Sequence, residues 1–226
     1  MLKKVSIIAV VILVVSAFYF YNSNKDYRRL LGKQLKVSLI LHNSDKPLPK
    51  FSLLDHNRQL FDNERLKKGW SLLLFIYTHC PDVCPTELLN MSQLKRLMTE
   101  NKVTNMPTVV AITFDPLRDT PEVLKEYITH FDKDFIGVSG DQAQIDQLIK
   151  PFGAYYERVV YDKKGKPVTL KAGDELPKGA LEEGYLINHT AWIYLINPEG
   201  EIFAGFPSPH KPSEMMQDIK LIMDFF

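Results

Sequence analysis

The feature that most constrains this chain is a continuous apolar run that ends beside its cysteines. Ser71–Tyr77 contains no charged residue, as is typical of inner strands that are buried on both faces. Cys80 and Cys84 follow within seven residues and are the only cysteines in the chain. From Thr86 onward, apolar residues recur at helical spacing. The pattern predicts a buried strand, a turn that carries both thiols, and a helix.

The rest of the sequence alternates further strands with helices. Strands are predicted at Thr108–Phe114, Phe135–Val138, Thr190–Ile196 and Glu201–Phe206, a hairpin at Phe51–Phe61, and helices after Thr120, near Ile145 and after Ser213. This order predicts an α/β fold: a central mixed sheet flanked by helices, with an N-terminal hairpin. The polar stretch Asp162–Gly184 is interpreted as an excursion inserted into that fold. Both cysteines would then follow the carboxyl end of an inner strand, where open α/β sheets place their sites.

The first residues of the chain predict a membrane segment. Lys3 and Lys4 precede the uncharged run Val5–Tyr21, whose 17 residues are at the short end of what spans a bilayer. We therefore divide the chain into a transmembrane anchor (1–21), a juxtamembrane stalk (22–48) and one domain (49–226). The lysine pair predicts a single pass through a bacterial inner membrane, with the N-terminus in the cytoplasm and the domain in the periplasm. A cleaved signal peptide is the alternative interpretation.

Charge and cysteine content exclude some classes of function. Lys and Arg number 28 against 27 for Asp and Glu, so no basic field indicates nucleic-acid binding. Two cysteines in 226 residues cannot form a disulfide scaffold. Because both fall within five positions at the predicted strand-to-helix junction, a shared chemical role is favoured over two unrelated buried thiols.

The two thiols could form a redox pair, a metal site or both. A helix N-terminus lowers the pKa of a thiol through its unpaired N–H groups and its dipole. We predict that Cys80 and Cys84 lie at or in the first turn of the helix, facing the same way, with a disulfide between them also within reach. A third alternative, a peroxidase-like thiol protein, requires a cysteine activated by an arginine, and Arg118 is the candidate. Arg118 belongs to the motif Asp115–Pro121, which is otherwise a strand-to-helix turn.

Among the six histidines, His189 is the candidate third ligand. It comes immediately before a predicted inner strand, so it can project over the same sheet edge as the cysteine turn. His79 adjoins Cys80 but is expected to point away, and the others are interpreted as solvated: His42, His56, His130 and His210. Two thiolates and an imidazole suit copper, Cu(I) above all and also Cu(II), whereas a structural zinc site normally has a fourth protein ligand.

The chain resembles the Sco (SenC) family of membrane-anchored copper proteins, which have a thioredoxin-like fold. The resemblance runs from about Pro49 to the C-terminus. It is carried by three motifs in this order: Cys80-Pro81-Asp82-Val83-Cys84-Pro85, Asp115-Pro116-Leu117-Arg118-Asp119-Thr120-Pro121, and Asn188-His189-Thr190 before a strand that ends in Asn197-Pro198-Glu199-Gly200.

The resemblance implies that Cys80, Cys84 and His189 bind one copper ion. It also implies a role in assembling cytochrome c oxidase. The chain would either deliver copper to the binuclear centre of the copper-bearing subunit or, as a thiol-disulfide oxidoreductase, reduce that centre's cysteines. Another copper chaperone or a thioredoxin-like reductase would be a further partner. Family members usually carry Asp before the histidine, where this chain has Asn188. The change removes a carboxylate that could orient the imidazole and affect how tightly Cu(II) is held.

Overall fold

The computed structural model describes residues 27–41 and 48–226. Its strands are β1 (Leu39–Ile40), β2 (Ser52–Asp55), β3 (Leu60–Asp62), β4 (Ser71–Ile76), β5 (Thr108–Thr113), β6 (Ile136–Ser139), β7 (Tyr156–Tyr161), β8 (Pro167–Lys171), β9 (Leu186–His189), β10 (Trp192–Ile196) and β11 (Ile202–Pro207). Its helices are α1 (Asn63–Leu66), α2 (Val83–Glu100), α3 (Pro121–Phe131), α4 (Gln142–Leu148), α5 (Ala180–Glu183) and α6 (Pro212–Phe225). A 3₁₀ turn covers Lys150–Phe152, and residues 27–32 are also helical.

The central sheet is mixed, as predicted. Its order is β1-β11-β10-β4-β5-β6-β2-β3, in which β4, β5 and β6 are parallel and the other neighbours antiparallel. All six residues of β4 are buried, which is what a continuous apolar run requires of an inner strand. The hairpin predicted at the start of the domain is the antiparallel pair β2–β3.

Helices α2 and α6 pack against each other, and α3 packs against β6. Thr120 caps α3, since its side chain accepts a hydrogen bond from the Val123 N–H, and Pro121 occupies the first turn. Parallel β4 and β5 leave their carboxyl ends at one edge of the sheet, from which α2 and α3 begin. We call this edge the upper edge, and the edge where β4 begins the lower edge. The upper edge receives the cysteine turn and the motif that follows β5.

A second sheet, of order β8-β7-β9, was missing from the prediction. Asp162–Gly184 does leave the central sheet, but it contains β8 and α5 rather than irregular chain alone. Strands β7 and β9 were also missed, because β7 carries Glu157 and Arg158 in a short run that does not look apolar. Arg158 is nevertheless buried, with its guanidinium bonded to Gln142 Oε1 at 2.8 Å. The second sheet matters because His189 is the last residue of β9.

The described part of the predicted stalk, residues 27–41, lies against the domain. Leu31 is buried in the core, and β1 pairs with β11 at the edge of the central sheet. The buried carboxylate of Asp218 on α6 accepts hydrogen bonds from the N–H groups of Lys36, Val37 and Ser38 and from the Ser38 hydroxyl. These bonds fix the stalk residues to α6. The predicted anchor, 1–21, lies outside the described residues; within 27–41 and 48–226 no helix is long and apolar enough to span a bilayer.

Candidate metal centre

The turn between β4 and α2 places both thiols at one helix end. Helix α2 begins at Val83, so Cys84 lies in its first turn, whereas Cys80 precedes the helix. The backbone folds back after Tyr77, whose carbonyl accepts a hydrogen bond from the Cys80 N–H at 3.2 Å. The Cys84 N–H then donates to Cys80 Sγ at 3.4 Å. The thiols therefore meet through a turn and a helix N-terminus, and not through two positions on one helix face as the spacing alone had indicated.

His189 reaches the same point from the second sheet. It ends β9, where it is paired in register with Tyr156 of β7. Its ring packs against Tyr77 and Phe114, with ring centroids 5.9 and 5.3 Å away, at the upper ends of β4 and β5. Its Nδ1 lies 3.0 Å from the Thr190 carbonyl oxygen. A hydrogen bond from Nδ1 to that carbonyl leaves Nε2 unprotonated and directed at the thiols, as a metal ligand must be.

The three donor atoms converge. Cys80 Sγ, Cys84 Sγ and His189 Nε2 all lie within 4.8 Å of one another, and Cys84 Sγ is 3.4 Å from Nε2. Three ligands around one ion at bond lengths near 2.0–2.3 Å would be roughly 3.5–4 Å apart. The donor set therefore fits a three-coordinate ion with little movement. Cys84 is buried, while Cys80 and His189 are partly exposed, so the site opens to solvent on one side.

The local electrostatics shift the pKa values of the two thiols in opposite directions. The pKa of Cys80 is lowered, first by a hydrogen bond from the Cys84 thiol and further by the backbone N–H groups at the helix start. The pKa of Cys84 is raised by the same hydrogen bond and by burial. Of the two thiols, Cys80 is therefore the one that ionises more readily. Neither cysteine is in a disulfide.

A buried carboxylate holds the start of the cysteine turn. Asp119, from the motif after β5, accepts hydrogen bonds from the Thr78 N–H at 3.0 Å, the Thr78 hydroxyl and the Thr113 hydroxyl. Burial raises the pKa of Asp119, against the lowering effect of these donors. Thr78 stands two residues before Cys80. The sequence had indicated Asp119 as cap chemistry, but the structure gives it this second contact, which only the pairing of β4 with β5 creates.

Comparison with known proteins agrees with this geometry. The family model described as SCO1/SenC matches residues 42–224, which is most of the chain. The chain belongs to the SCO1/SenC family. A SCO2-like protein of Rickettsia felis is 33% identical over 217 residues, covering 96% of this chain and 95% of that protein.

Solved structures of Sco proteins share the thioredoxin-like α/β fold. ScoI of Bradyrhizobium japonicum with copper bound is 33% identical, with a TM-score of 0.60, covering 77% of this chain and 98% of that one. BsSco, for which a disulfide switch is reported, is described as a member of the Sco family of cytochrome c oxidase assembly proteins. It is 19% identical with a TM-score of 0.57, covering 83% of this chain and 96% of that one, a level that shows the fold alone.

The contacts of Arg118 are not those of an arginine that activates a cysteine, as a peroxidase-like thiol protein would require. Its guanidinium pairs with the buried Asp115, donates to the Tyr185 carbonyl at 3.0 Å and lies 3.6 Å from the centre of the Tyr185 ring. Tyr185 in turn donates its hydroxyl to Asp115. This cluster joins the motif after β5 to the chain before β9. Arg118 thus ties the second sheet to the first, which supports the placement of His189.

Asn188 is not a partner of the His189 imidazole in this Sco protein. Its side chain points to the other face of β9, where its amide donates to Glu157 Oε1 at 3.1 Å. The imidazole is oriented without the side chain of residue 188, since its Nδ1 lies 3.0 Å from the Thr190 carbonyl oxygen. The substitution changes the surface of the second sheet instead.

The remaining histidines fall into two groups. His79 and His130 are exposed; His79 Nδ1 is 3.1 Å from the Thr78 hydroxyl and lies outside the donor set, as expected. His56 and His210 are buried, so their interpretation as solvated was wrong. His56 Nδ1 accepts a hydrogen bond from the Gly137 N–H, and His210 pairs with Glu87 of α2. His42 lies outside the described residues.

Proposed function

We propose that this chain binds one copper ion through Cys80, Cys84 and His189 and delivers it to the copper-bearing subunit of cytochrome c oxidase. The observation that carries the proposal is the convergence of two thiol sulfurs and one imidazole nitrogen within 4.8 Å of one another. Thiolates are soft ligands that suit Cu(I), and the imidazole extends the range to Cu(II). The copper-bound ScoI relative supports the choice of metal.

The exposure of the three ligands suits transfer by ligand exchange. Cys80 and His189 are partly exposed, whereas Cys84 is buried. Three donors leave a copper ion open to a further ligand on the solvent side. Ligands of the acceptor can therefore enter there while Cys84 still holds the ion. Cys80 and His189 are then displaced first and Cys84 last.

The decisive experiment is a Cu(I) titration of the reduced protein against a competing chelator. His189→Ala is expected to weaken binding by tenfold or more, since second-shell changes alone cost 10–100-fold at metal sites. His130→Ala is the matched control, because His130 is exposed and lies on α3 outside the donor set. Unchanged affinity in His189→Ala, or equal losses in both variants, contradicts the proposed site. Oxidase assembly in cells that carry each variant links binding to delivery.

The second candidate function is thiol-disulfide oxidoreduction, favoured by the lowered pKa of the partly exposed Cys80. Cys80 thiolate attacks a disulfide of the apo-oxidase subunit, forming a mixed disulfide and releasing one partner thiolate. Cys84 then loses its proton and attacks Cys80 Sγ, so the second partner thiolate leaves. The partner is reduced, the Cys80–Cys84 pair is oxidised, and a thioredoxin-like reductase restores it.

The two functions differ in whether they require His189. Reduction needs both cysteines but no metal ligand from β9, so His189→Ala should retain the release of partner thiols while losing copper. Cys84→Ser should lose copper binding and should stop reduction at the mixed disulfide after one partner thiol is released, because it removes the resolving thiol and a metal ligand. If His189→Ala supports normal oxidase assembly in cells, the reductase is the physiological function and copper delivery is not.

We also propose that residues 1–21 anchor the chain in a bacterial inner membrane, with the domain in the periplasm. The support is the lysine pair before an uncharged run of 17 residues. The proposed copper donor, another chaperone, would then meet the domain in the periplasm. Protease added to intact spheroplasts should digest the domain and leave a membrane-bound N-terminal fragment. A domain that stays protected until the inner membrane is broken contradicts the topology.

A further inference from the structure

The chain enters the described fold at the lower edge of the central sheet. Strand β4 begins there at Ser71, which is paired with Ile196 at the end of β10, so the following turn to β11 lies at the same edge. Arg28 reaches this turn, 3.9 Å from Glu201. Tyr27 donates its hydroxyl to the Phe225 carbonyl at the end of α6, with their rings 5.4 Å apart.

The metal centre lies at the opposite edge. It is built from the turn after β4 and the end of β9, both at the upper edge. The six residues of β4 span about 20 Å at 3.3 Å per residue. The path from Tyr27 to the cysteines therefore crosses the full height of the sheet, and the site where the chain enters cannot also face a partner that takes the copper.

The lower edge carries an exposed apolar patch flanked by basic residues. Leu30, Phe225 and Phe226 are 59%, 41% and 53% exposed, and Leu30 lies one helical turn after Tyr27. Arg29 and Lys33, on the outward side of the same segment, are also exposed. We call these five residues the basal patch. The two charged side chains of the basal patch are both basic, and the exposed Lys220 and Asp224 on the neighbouring α6 carry one charge of each sign.

From these observations we propose that the basal patch rests on the anionic headgroups of the membrane that holds residues 1–21, with the metal centre directed away from the bilayer. This inference rests on the proposed anchor. Only residues 22–26 separate that anchor from Tyr27, and five residues extend to at most about 18 Å. A domain held this close presents one face to the lipid. Exposed aromatic and aliphatic side chains beside Arg and Lys are the chemistry that inserts at a headgroup layer.

The proposed orientation of the domain restricts the direction from which a partner can approach the metal centre. A copper acceptor must present its ligands at a height above the bilayer that exceeds the length of β4, and it must approach the upper edge. A partner that approached laterally near the lipid would meet the lower edge of the sheet, away from the metal centre. The same geometry applies whether the partner receives copper or is reduced by Cys80.

The positions of the two tryptophans make the inference testable in the full chain. Trp70 precedes β4 at the lower edge, where its ring lies 5.0 Å from that of Phe226, and Trp192 begins β10 at the upper edge. We would reconstitute the full chain in vesicles with dansyl-labelled headgroups and measure energy transfer. Trp192→Phe reports Trp70 alone, and Trp70→Phe reports Trp192 alone, since the chain has two tryptophans. Transfer from Trp70 should exceed transfer from Trp192.

Charge variants test the patch itself. Raising the fraction of anionic lipid should increase transfer from Trp70, and Arg29→Glu with Lys33→Glu should abolish that increase. Lys163→Glu with Lys164→Glu, in the exposed turn between β7 and β8, should retain it. If Trp70→Phe does not fold, the difference between wild type and Trp192→Phe supplies the Trp192 signal.

The outcomes distinguish this inference from the proposal beneath it. A chain that floats with vesicles but shows equal transfer from both tryptophans, or more from Trp192, overturns the orientation and leaves the anchor intact. A chain that does not float overturns the anchor and the inference together. Neither result bears on copper binding, which is measured separately on the same preparations.

Discussion

The hydroxyl of Thr78 offers a direct test of how the fold holds the cysteine turn. It donates to the buried carboxylate of Asp119, which also accepts from the hydroxyl of Thr113. Thr78→Val keeps the shape of the side chain and removes one hydrogen bond to a charged acceptor, worth about 1.5–3 kcal/mol. For a protein of this size the melting temperature should fall by roughly 3–12 °C.

The copper affinity of Thr78→Val should fall as well. The lost bond fixes the turn two residues before Cys80, so an ion that binds the variant must order that turn. If the whole free energy appears in binding, the dissociation constant rises by roughly ten- to a hundredfold, because each 1.4 kcal/mol is a factor of ten. The assays are urea unfolding of the apoprotein and Cu(I) competition with a chelator.

Thr113→Val is the matched control, since it removes a hydroxyl from the same carboxylate but lies in β5. Thr113 also accepts a hydrogen bond from the Asp115 N–H at 2.8 Å, so its loss leaves a buried donor unpaired and should destabilise more. Its effect on copper affinity should nevertheless be smaller. The reasoning is refuted if Thr78→Val destabilises the protein with copper affinity unchanged within twofold, or if Thr113→Val weakens copper binding more.

Three further predictions concern residues away from the thiols. Burial lowers the pKa of His56, whose Nδ1 accepts a hydrogen bond from the Gly137 N–H, so the contribution of His56 to the free energy of unfolding should be complete above the unfolded pKa near 6.5 and should fall as the pH drops below it. In urea unfolding between pH 7.5 and 5, His56→Asn should lose this pH dependence, and an unchanged pH dependence would contradict the assignment. Asp218→Ala should lower the free energy of unfolding by about 3 kcal/mol or more, because it removes the acceptor of three backbone N–H groups. Limited proteolysis should then cleave residues 27–41 first, and a protease-resistant variant would contradict this. Asn188→Asp should lower the free energy of unfolding by about 0.2–1 kcal/mol, because it places a second negative charge opposite Glu157 on the paired strands β9 and β7. Copper affinity in the chelator assay should be unchanged, and a weaker affinity would show that residue 188 influences the metal site.

Much of the central fold could be predicted because its signals are local. The six-residue apolar run of β4 and the Thr120 cap before Pro121 each appear in a window of a few residues. The joint placement of Cys80, Cys84 and His189 was also predictable, but His189 depended on the order of three motifs as well as on its own neighbourhood. Taken alone, a histidine before a strand carries little information.

The features that were missed depend on tertiary contacts. Arg158 makes β7 look polar, although its buried guanidinium donates to Gln142 and lies 5.0 Å from the centre of the Tyr156 ring. His56 and His210 look like loop histidines until a distant N–H group or Glu87 is brought to them. The position of Cys80 ahead of α2 could not be read from spacing, because the turn that contains Pro81 does not follow helical periodicity.

The origin of His189 in a separate sheet has a kinetic consequence. Cys80 and Cys84 belong to the central sheet and its helix, while His189 ends β9. A bound ion would therefore add a link between two units that are also joined by packing and by the hydrogen bonds of Arg118 and Arg158. Opening of the second sheet would then detach one ligand without disturbing the thiols. Such an opening would add a route for copper to leave, besides ligand exchange on the solvent side. Hydrogen exchange in β9 should slow when copper is bound, and the amides of β7 should follow it.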